Sequence, residues 1–446
     1  MHHGRQVGCT LLLSIGWIFG YNALKPSLVA AGVYADRCEH GLAPCEAQSH
    51  ALDWILEFAT ASANGTFFFV GLARDVFGAL GSGTFSAVLR FGGILALAFS
   101  LSGNMQVTIP YWYALAGIFG SVFYLSAMGL GEVYPKMAPT IAATFTVAWD
   151  LSSGMPIILN AIRSAGVPFR DVMIGFGAIT STLMFIFSLR LPSLPNKEGL
   201  TFSRRVLREV KVAPVRFYFT PLVVSTCLYT GAIVTFQAMY MSSLQGQMKY
   251  AGGDHADKLV TVFNYLLPGL GLPLSVIFSL FNGWAAKDRS RLPTRFLLAG
   301  VLHTLFLCLS LVRSGPAQYV VIVVFISWRI YSFIAIYNSV FEAFEGFNVF
   351  GRLCGIASTV GGCIAFSAHA LNDVTTNHLD GDPRLINVVL GGLVILMSLL
   401  QMVAFGPRAV KHARATLRPS DDTGDNEEEA SLLAQEPTVA DPTINN

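Results

Sequence analysis

Apolar runs of about twenty residues, the length that crosses a bilayer as an α-helix, recur along this chain between short polar segments. The first set covers Val7 to Ala31, Ala51 to Ala73, Thr84 to Ser102, Pro110 to Leu130, Thr140 to Ile162 and Phe169 to Leu189. The second covers Phe217 to Ser243, Leu259 to Phe281, Phe296 to Val312, Ala317 to Phe341, Leu353 to Leu371 and Leu385 to Phe405. The pattern predicts about twelve transmembrane helices in two sets of six. The longest basic loop, Pro192 to Arg216, lies between the sets and carries Lys197, Arg204, Arg205, Arg208, Lys211 and Arg216. The expected organisation is a six-helix bundle over 1–190, a linker over 191–216, a second bundle over 217–406 and a disordered tail over 407–446.

Composition agrees with this reading. The chain is 53% hydrophobic and 13% charged, against roughly 25% charged in an ordinary soluble domain. An all-α polytopic membrane protein follows, with the lipid bilayer as its surroundings. Placing both termini and the linker in the cytoplasm puts most Lys and Arg residues inside, as the positive-inside rule requires. The first apolar run is too long for a cleavable signal peptide and is expected to remain as helix one.

The soluble catalytic classes find little support. No Gly-rich phosphate loop followed by Lys-Ser or Lys-Thr is present, so ATP-driven pumping is not expected. His2-His3, His303, His369 and His378 lack metal-ligand spacing; no cofactor, metal or nucleic-acid partner is expected. An intramembrane enzyme is the competing class, and it would require Asp53, Glu57, Asp150 and Glu342 to converge on one substrate. Most of the seven cysteines lie in helices as small apolar fillers. Cys38 and Cys45 fall instead in the first extracytoplasmic loop, where a disulfide is permitted. The triplet Asn64-Gly65-Thr66 lies inside helix two, so no glycan is expected on it.

Polar groups deep in the helices point to mechanism, because they are expensive in lipid and normally face a cavity or a partner. Asp150 sits near the middle of helix five and Arg329 near the middle of helix ten. A guanidinium in a water-filled cavity can hold the carboxylate of an amino or organic acid bidentately; the competing reading pairs Arg329 with Asp150 or another acid. Asn22 on helix one, Tyr124 on helix four, Tyr229 on helix seven, and Tyr337 and Asn338 on helix ten are further cavity candidates, each also open to a helix-packing role. Lys25, beside Pro26 at the outer end of helix one, can snorkel to the interface. Pro156 in helix five, Pro268, Gly269, Gly271 and Pro273 in helix eight, and Gly361-Gly362 in helix eleven are expected breaks or bends.

A polar island, Gly71-Leu72-Ala73-Arg74-Asp75-Val76-Phe77-Gly78, lies between helices two and three. It resembles the Gly-x-x-x-Asp-x-x-Gly signature of major facilitator transporters. That resemblance implies a conformational latch at Gly71, Asp75 and Gly78, whose carboxylate accepts hydrogen bonds from a helix N-terminus or pairs with a basic side chain. A looser echo, Asn282-Gly283-Trp284-Ala285-Ala286-Lys287-Asp288-Arg289, makes Asp288 and Arg289 the equivalent candidates. There Asp288 stands five positions after Gly283 rather than four.

Further segments narrow the resemblance. Val133-Tyr134-Pro135-Lys136-Met137-Ala138-Pro139-Thr140 running into Ala148-Trp149-Asp150-Leu151-Ser152-Ser153, Asn64 ahead of the island, Phe350-Gly351-Arg352-Leu353-Cys354-Gly355, and the first-loop cysteines followed by Gln48 resemble the L-type amino-acid transporter branch, solute carrier family forty-three. Fungal relatives and apicomplexan amino-acid transporters belong to the same branch. The resemblance implies a major facilitator fold and a secondary transporter that moves amino acids by alternating access around a site near the bilayer midplane. Neutral amino acids come first and cationic ones second. A facilitator for a sugar, monocarboxylate or nucleoside, and a non-transporting scaffold, are the alternatives.

The tail starts basic, with Arg408, Lys411, Arg414 and Arg418, and then turns acidic, a composition expected to stay disordered. Glu428-Glu429-Ala430-Ser431-Leu432-Leu433 resembles an acidic dileucine sorting signal. Glu428, Leu432 and Leu433 would dock on an adaptor complex and direct the protein to an endolysosomal or vacuolar membrane; otherwise the tail is inert and the plasma membrane is the alternative.

Overall fold

A computed structural model describes residues 16–38, 45–101, 103–128, 130, 134, 138–191, 215–344 and 350–417. Among these residues the secondary structure is helical, with no strand. The first half comprises α1 (Tyr21–Ala30), entered through the 3-10 turn Trp17–Gly20, α2 (Glu46–Gly65), α3 (Phe67–Phe99), α4 (Ile109–Met128), α5 (Ala138–Ser152), α6 (Met155–Ser164) and α7 (Phe169–Ser188). The second comprises α8 (Pro221–Ser242), α9 (Leu244–Gly252), α10 (Ala256–Ala286), α11 (Leu292–Ser310), α12 (Gly315–Ala343), α13 (Phe350–Ala365), α14 (Ser367–His378), α15 (Arg384–Ala404) and α16 (Pro407–Leu417).

Nine helices among the described residues are individually long and apolar enough to cross a membrane, and α2 with the start of α3 makes a tenth, bent by 44°. Two of the twelve expected spans are less regular. The first begins ahead of the described residues, and the fifth is divided between α5 and α6 at Ser153-Gly154, where Pro156 enters the first turn of α6. There proline's missing N–H costs nothing.

Several expectations about breaks need correction. The polar island is not an extended loop: helix continues through it, and only Gly78 departs, at φ 74° and ψ 171°. That conformation is open to glycine and strained for other residues. Span two is bent at Thr66, just after the Asn64-Gly65 pair, and continues into the start of α3 as far as Arg74. In the other half α10 runs unbroken through Pro268 and Pro273 to Ala286. The interruption in span eleven falls at Phe366, between α13 and α14, rather than at Gly361-Gly362. The tail's basic start is the helix α16, buried along Val410 and Ala413, so order extends past Pro407. Arg414 on this helix donates from Nε to the Ala343 carbonyl at the end of α12. The sorting motif at Glu428, Leu432 and Leu433 lies outside the described residues.

Within the first half α3 packs on α4 and α7, and α2 on α4; within the second α8 packs on α13 and α15, α11 on α12 and α15, and α10 on α12. Two seams join the halves: α13 lies against α2 and α3, and α10 lies against α5. The first seam is a backbone contact, since a Cβ added at Gly362 would collide with the Gly65 amide nitrogen and lie 2.5 Å from the Ala61 carbonyl oxygen. Small residues permit this approach, as at many helix pairs in membranes. The α7 end and α8 start define one face of the molecule, the linker face. The turns after α1, α6 and α14 define the far face.

Candidate functional site

Between the halves lies a cavity. It draws on Phe19 ahead of α1, α2, α4, α5, α8 and α12. Asn64 and Phe67 of span two, Tyr124 of α4 and Phe333 and Tyr337 of α12 come from the linker-side portions of their helices, so the cavity extends toward that face. Its walls are mostly apolar or aromatic: Leu56, Val234, Met241, Ile330, Trp149 and Phe333 contribute. Thr60, Asn64, Ser121 and Gln237 add polar atoms.

Asp150 and Arg329 are the charged lining residues among those described. They are 4% and 3% exposed, and Arg329 Nη1 donates to Asp150 Oδ1 at 2.8 Å. Each is placed by its helix. Asp150 stands two residues before the end of α5, and Gly271 of α10 admits it closely, since a Cβ there would lie 2.9 Å from the Asp150 Cβ. Arg329 projects from the middle of the unbroken α12, with its guanidinium 5.1 Å from the Phe19 ring centroid. Arg329 Nε has no hydrogen-bond partner among the described residues. The pair thus leaves donor capacity beside the cavity, and it joins the two halves near mid-span.

The other cavity candidates divide. Tyr124 and Tyr337 line the space, and Tyr124 stacks edge-on against Trp149 with centroids 5.0 Å apart. Tyr229 does not line it; it is buried against Phe296, 5.6 Å between centroids. Asn338 is half-buried and also outside the lining, one position past Tyr337 on α12. Asn22 serves as a bridge between halves, its Nδ2 donating to the Met241 carbonyl at 2.9 Å.

The four intramembrane carboxylates do not converge. Asp53 pairs with Lys25 at 2.6 Å, Glu57 with His369 at 2.6 Å, Asp150 with Arg329 at 2.8 Å and Glu342 with Arg295 at 2.7 Å. Each acid has its own basic partner, an arrangement that offsets buried charge and offers no shared carboxylate centre. Lys25 therefore corrects an expectation: it is 8% exposed and turned to Asp53 and Ser49, not to the interface. Sequence reasoning also missed Arg295, which is fully buried, donates to Asn282 O and pairs with Glu342. Its place near the start of α11, read as a helix end, gave no signal of burial.

At the two islands, Gly71 lies within α3 and Gly78 supplies its kink, while the side chains of Asp75 and Arg289 lie outside the described residues. Asp288 accepts from the Ser290 amide at 2.9 Å and has Arg291 Nε at 3.9 Å. The Ser290 amide holds its carboxyl below the usual range, with Arg291 a lesser contributor. Asp288 thus caps its own turn. On the far face Cys38 and Cys45 form a disulfide, and Cys45 Sγ caps α2 by accepting from the Gln48 amide.

No family model matches the chain. Protein FMP42 of Saccharomyces cerevisiae is 28% identical over 206 residues, 44% of this chain and 40% of that protein. Arginine transporter 1 of Toxoplasma gondii is 26% identical over 180 residues, 40% of this chain and 31% of that protein. The chain thus spans under half the length of these curated relatives. Similarity to solved structures extends across nearly the whole molecule. A D-xylose-proton symporter superposes with a TM-score of 0.57 at 15% identity, covering 91% of this chain and 98% of that one. A bacterial homologue of the iron transporter ferroportin, in an outward-facing state, gives a TM-score of 0.63 at 13% identity, covering 91% and 99%. At such identities the likeness speaks for architecture alone: the chain is an all-α, multi-pass membrane protein with the major facilitator fold.

Proposed function

We propose that this protein is a secondary transporter that carries amino acids across the membrane by alternating access. The observation that carries this reading is the Asp150–Arg329 pair in the wall of the cavity between the halves. One acid and one base at 2.8 Å match the two charges of an amino-acid zwitterion, the carboxylate going to the guanidinium and the ammonium to Asp150. A substrate that entered between them would exchange one pair of charges for two, with little change in net buried charge. The apolar and aromatic remainder of the lining suits a neutral side chain. The partial similarity to a protein named arginine transporter 1 supports the amino-acid class and keeps cationic substrates in the test. The linker face is assigned to the cytoplasm on the strength of its basic loop.

The test is uptake of a labelled amino-acid mixture into proteoliposomes, with and without a preloaded lumen and a pH gradient. Preloading is expected to accelerate uptake, and unlabelled amino acids to compete where sugars, monocarboxylates and nucleosides do not. Competition by one of those solutes instead would reassign the substrate. Folded protein that takes up none of them would favour a scaffold.

A further inference from the structure

On the far side of the cavity, polar contacts between the halves converge on one carboxylate. Glu57 of α2 accepts through Oε1 from Ser242 Oγ of α8 at 2.7 Å and from Asn372 Nδ2 of α14 at 3.3 Å. Its Oε2 lies 2.6 Å from His369 Nδ1 of α14. All three partners belong to the second half. The Glu57 side chain is 1% exposed and that of His369 is 35% exposed. The carboxylate is sealed while about a third of the imidazole side chain is exposed.

The neighbouring ionisable groups leave His369 to balance that carboxylate. Asp53 of α2 is taken by Lys25 of α1. His50 of α2 has Nε2 3.7 Å from Asp373 Oδ1 of α14, too far for a hydrogen bond. The His369 ring packs on Trp54 and His50, with centroids 4.5 and 5.2 Å apart.

We propose that His369 and Glu57 form a proton-binding site that fastens the far face shut. A proton taken up by His369 from the far compartment turns its hydrogen bond to Glu57 into an ion pair across the two halves. Charge-assisted hydrogen bonds are about twice as strong as neutral ones, and Glu57 buried without a cation carries a desolvation cost. When the halves part, both groups return to water and the difference largely disappears. Proton binding and closure therefore favour each other by the same factor. Acid in the far compartment biases the protein toward the conformation with its far face closed. This rests on the transport reading only in that the halves separate.

The site can be tested without substrate. Spin labels are placed at Ala47 and His378, exposed far-side positions on α2 and α14, with the exposed Cys308 and Cys363 replaced by Ser. Electron–electron distance distributions are then recorded from about pH 8 to about pH 5, the interval in which histidine titrates. The short-distance population is expected to rise several-fold on acidification. His50→Gln should retain the response, whereas His369→Gln, which keeps a hydrogen-bond donor but does not titrate, should lose it. A parental distribution that ignores pH, or a response that survives His369→Gln, would overturn the proposal. A pH response in protein that takes up no amino acid would instead count against the substrate reading alone.

Discussion

Arg329 and Asp150 must be considered together, because each is the counter-charge of the other in a nearly inaccessible place. Removing one partner of such a pair typically costs about 3–5 kcal/mol, since the other charge is stranded. Arg329→Ala and Asp150→Asn are therefore expected to lose uptake and also to lower the melting temperature in detergent. The double variant Asp150→Asn/Arg329→Gln removes both charges, and it should recover most of the thermal stability while remaining inactive. Parental uptake in the double variant would make the pair purely structural. Lys25 and Asp53 provide the comparison outside the cavity. Lys25→Met should destabilise, and the added change Asp53→Asn should restore the melting temperature; if Lys25→Met melts like the parent, the pair is too well hydrated to matter.

At the scale of the elements, the critical contact is the crossing of α2 and α13. Gly362→Leu places a branched side chain where the Gly65 backbone lies, and overpacking of this kind costs about 1–3 kcal/mol. The expected result is a lower melting temperature; an unchanged one would show that the helices can separate freely at this point. The helices themselves were legible because a bilayer demands apolar runs of fixed length. Their interruptions were less so. Pro268 and Pro273 advertise a break that α10 does not make, since lost backbone bonds can be absorbed in a packed helix, whereas the turn at Phe366 has no proline or glycine at its centre. The charged pairs were half legible. Asp150 and Arg329 stood out as charges within apolar runs, and their pairing was one of the readings open, but they are 179 positions apart, and no periodicity decides which distant charges meet. Lys25 was misread for the same reason: its position near a helix end suggested the interface, and its partner Asp53 lies on another helix.

At the scale of the whole molecule, the major facilitator fold sets two helical halves around a cavity, with polar contacts across the far side and the lining reaching toward the linker face. Transport by such a body requires the two halves to exchange one set of seams for another. The island at Gly71 to Gly78 sits where two spans of the first half join, so Asp75→Asn is expected to slow turnover with little change in apparent affinity. A large change in affinity at constant turnover would contradict a latch role for Asp75. The most direct test of the transport account is counterflow of labelled amino acid in proteoliposomes, comparing the parental protein with Asp150→Asn/Arg329→Gln at equal folded content. The account predicts uptake accelerated by internal amino acid in the parent and none above empty liposomes in the variant. Equal counterflow in the two would contradict it.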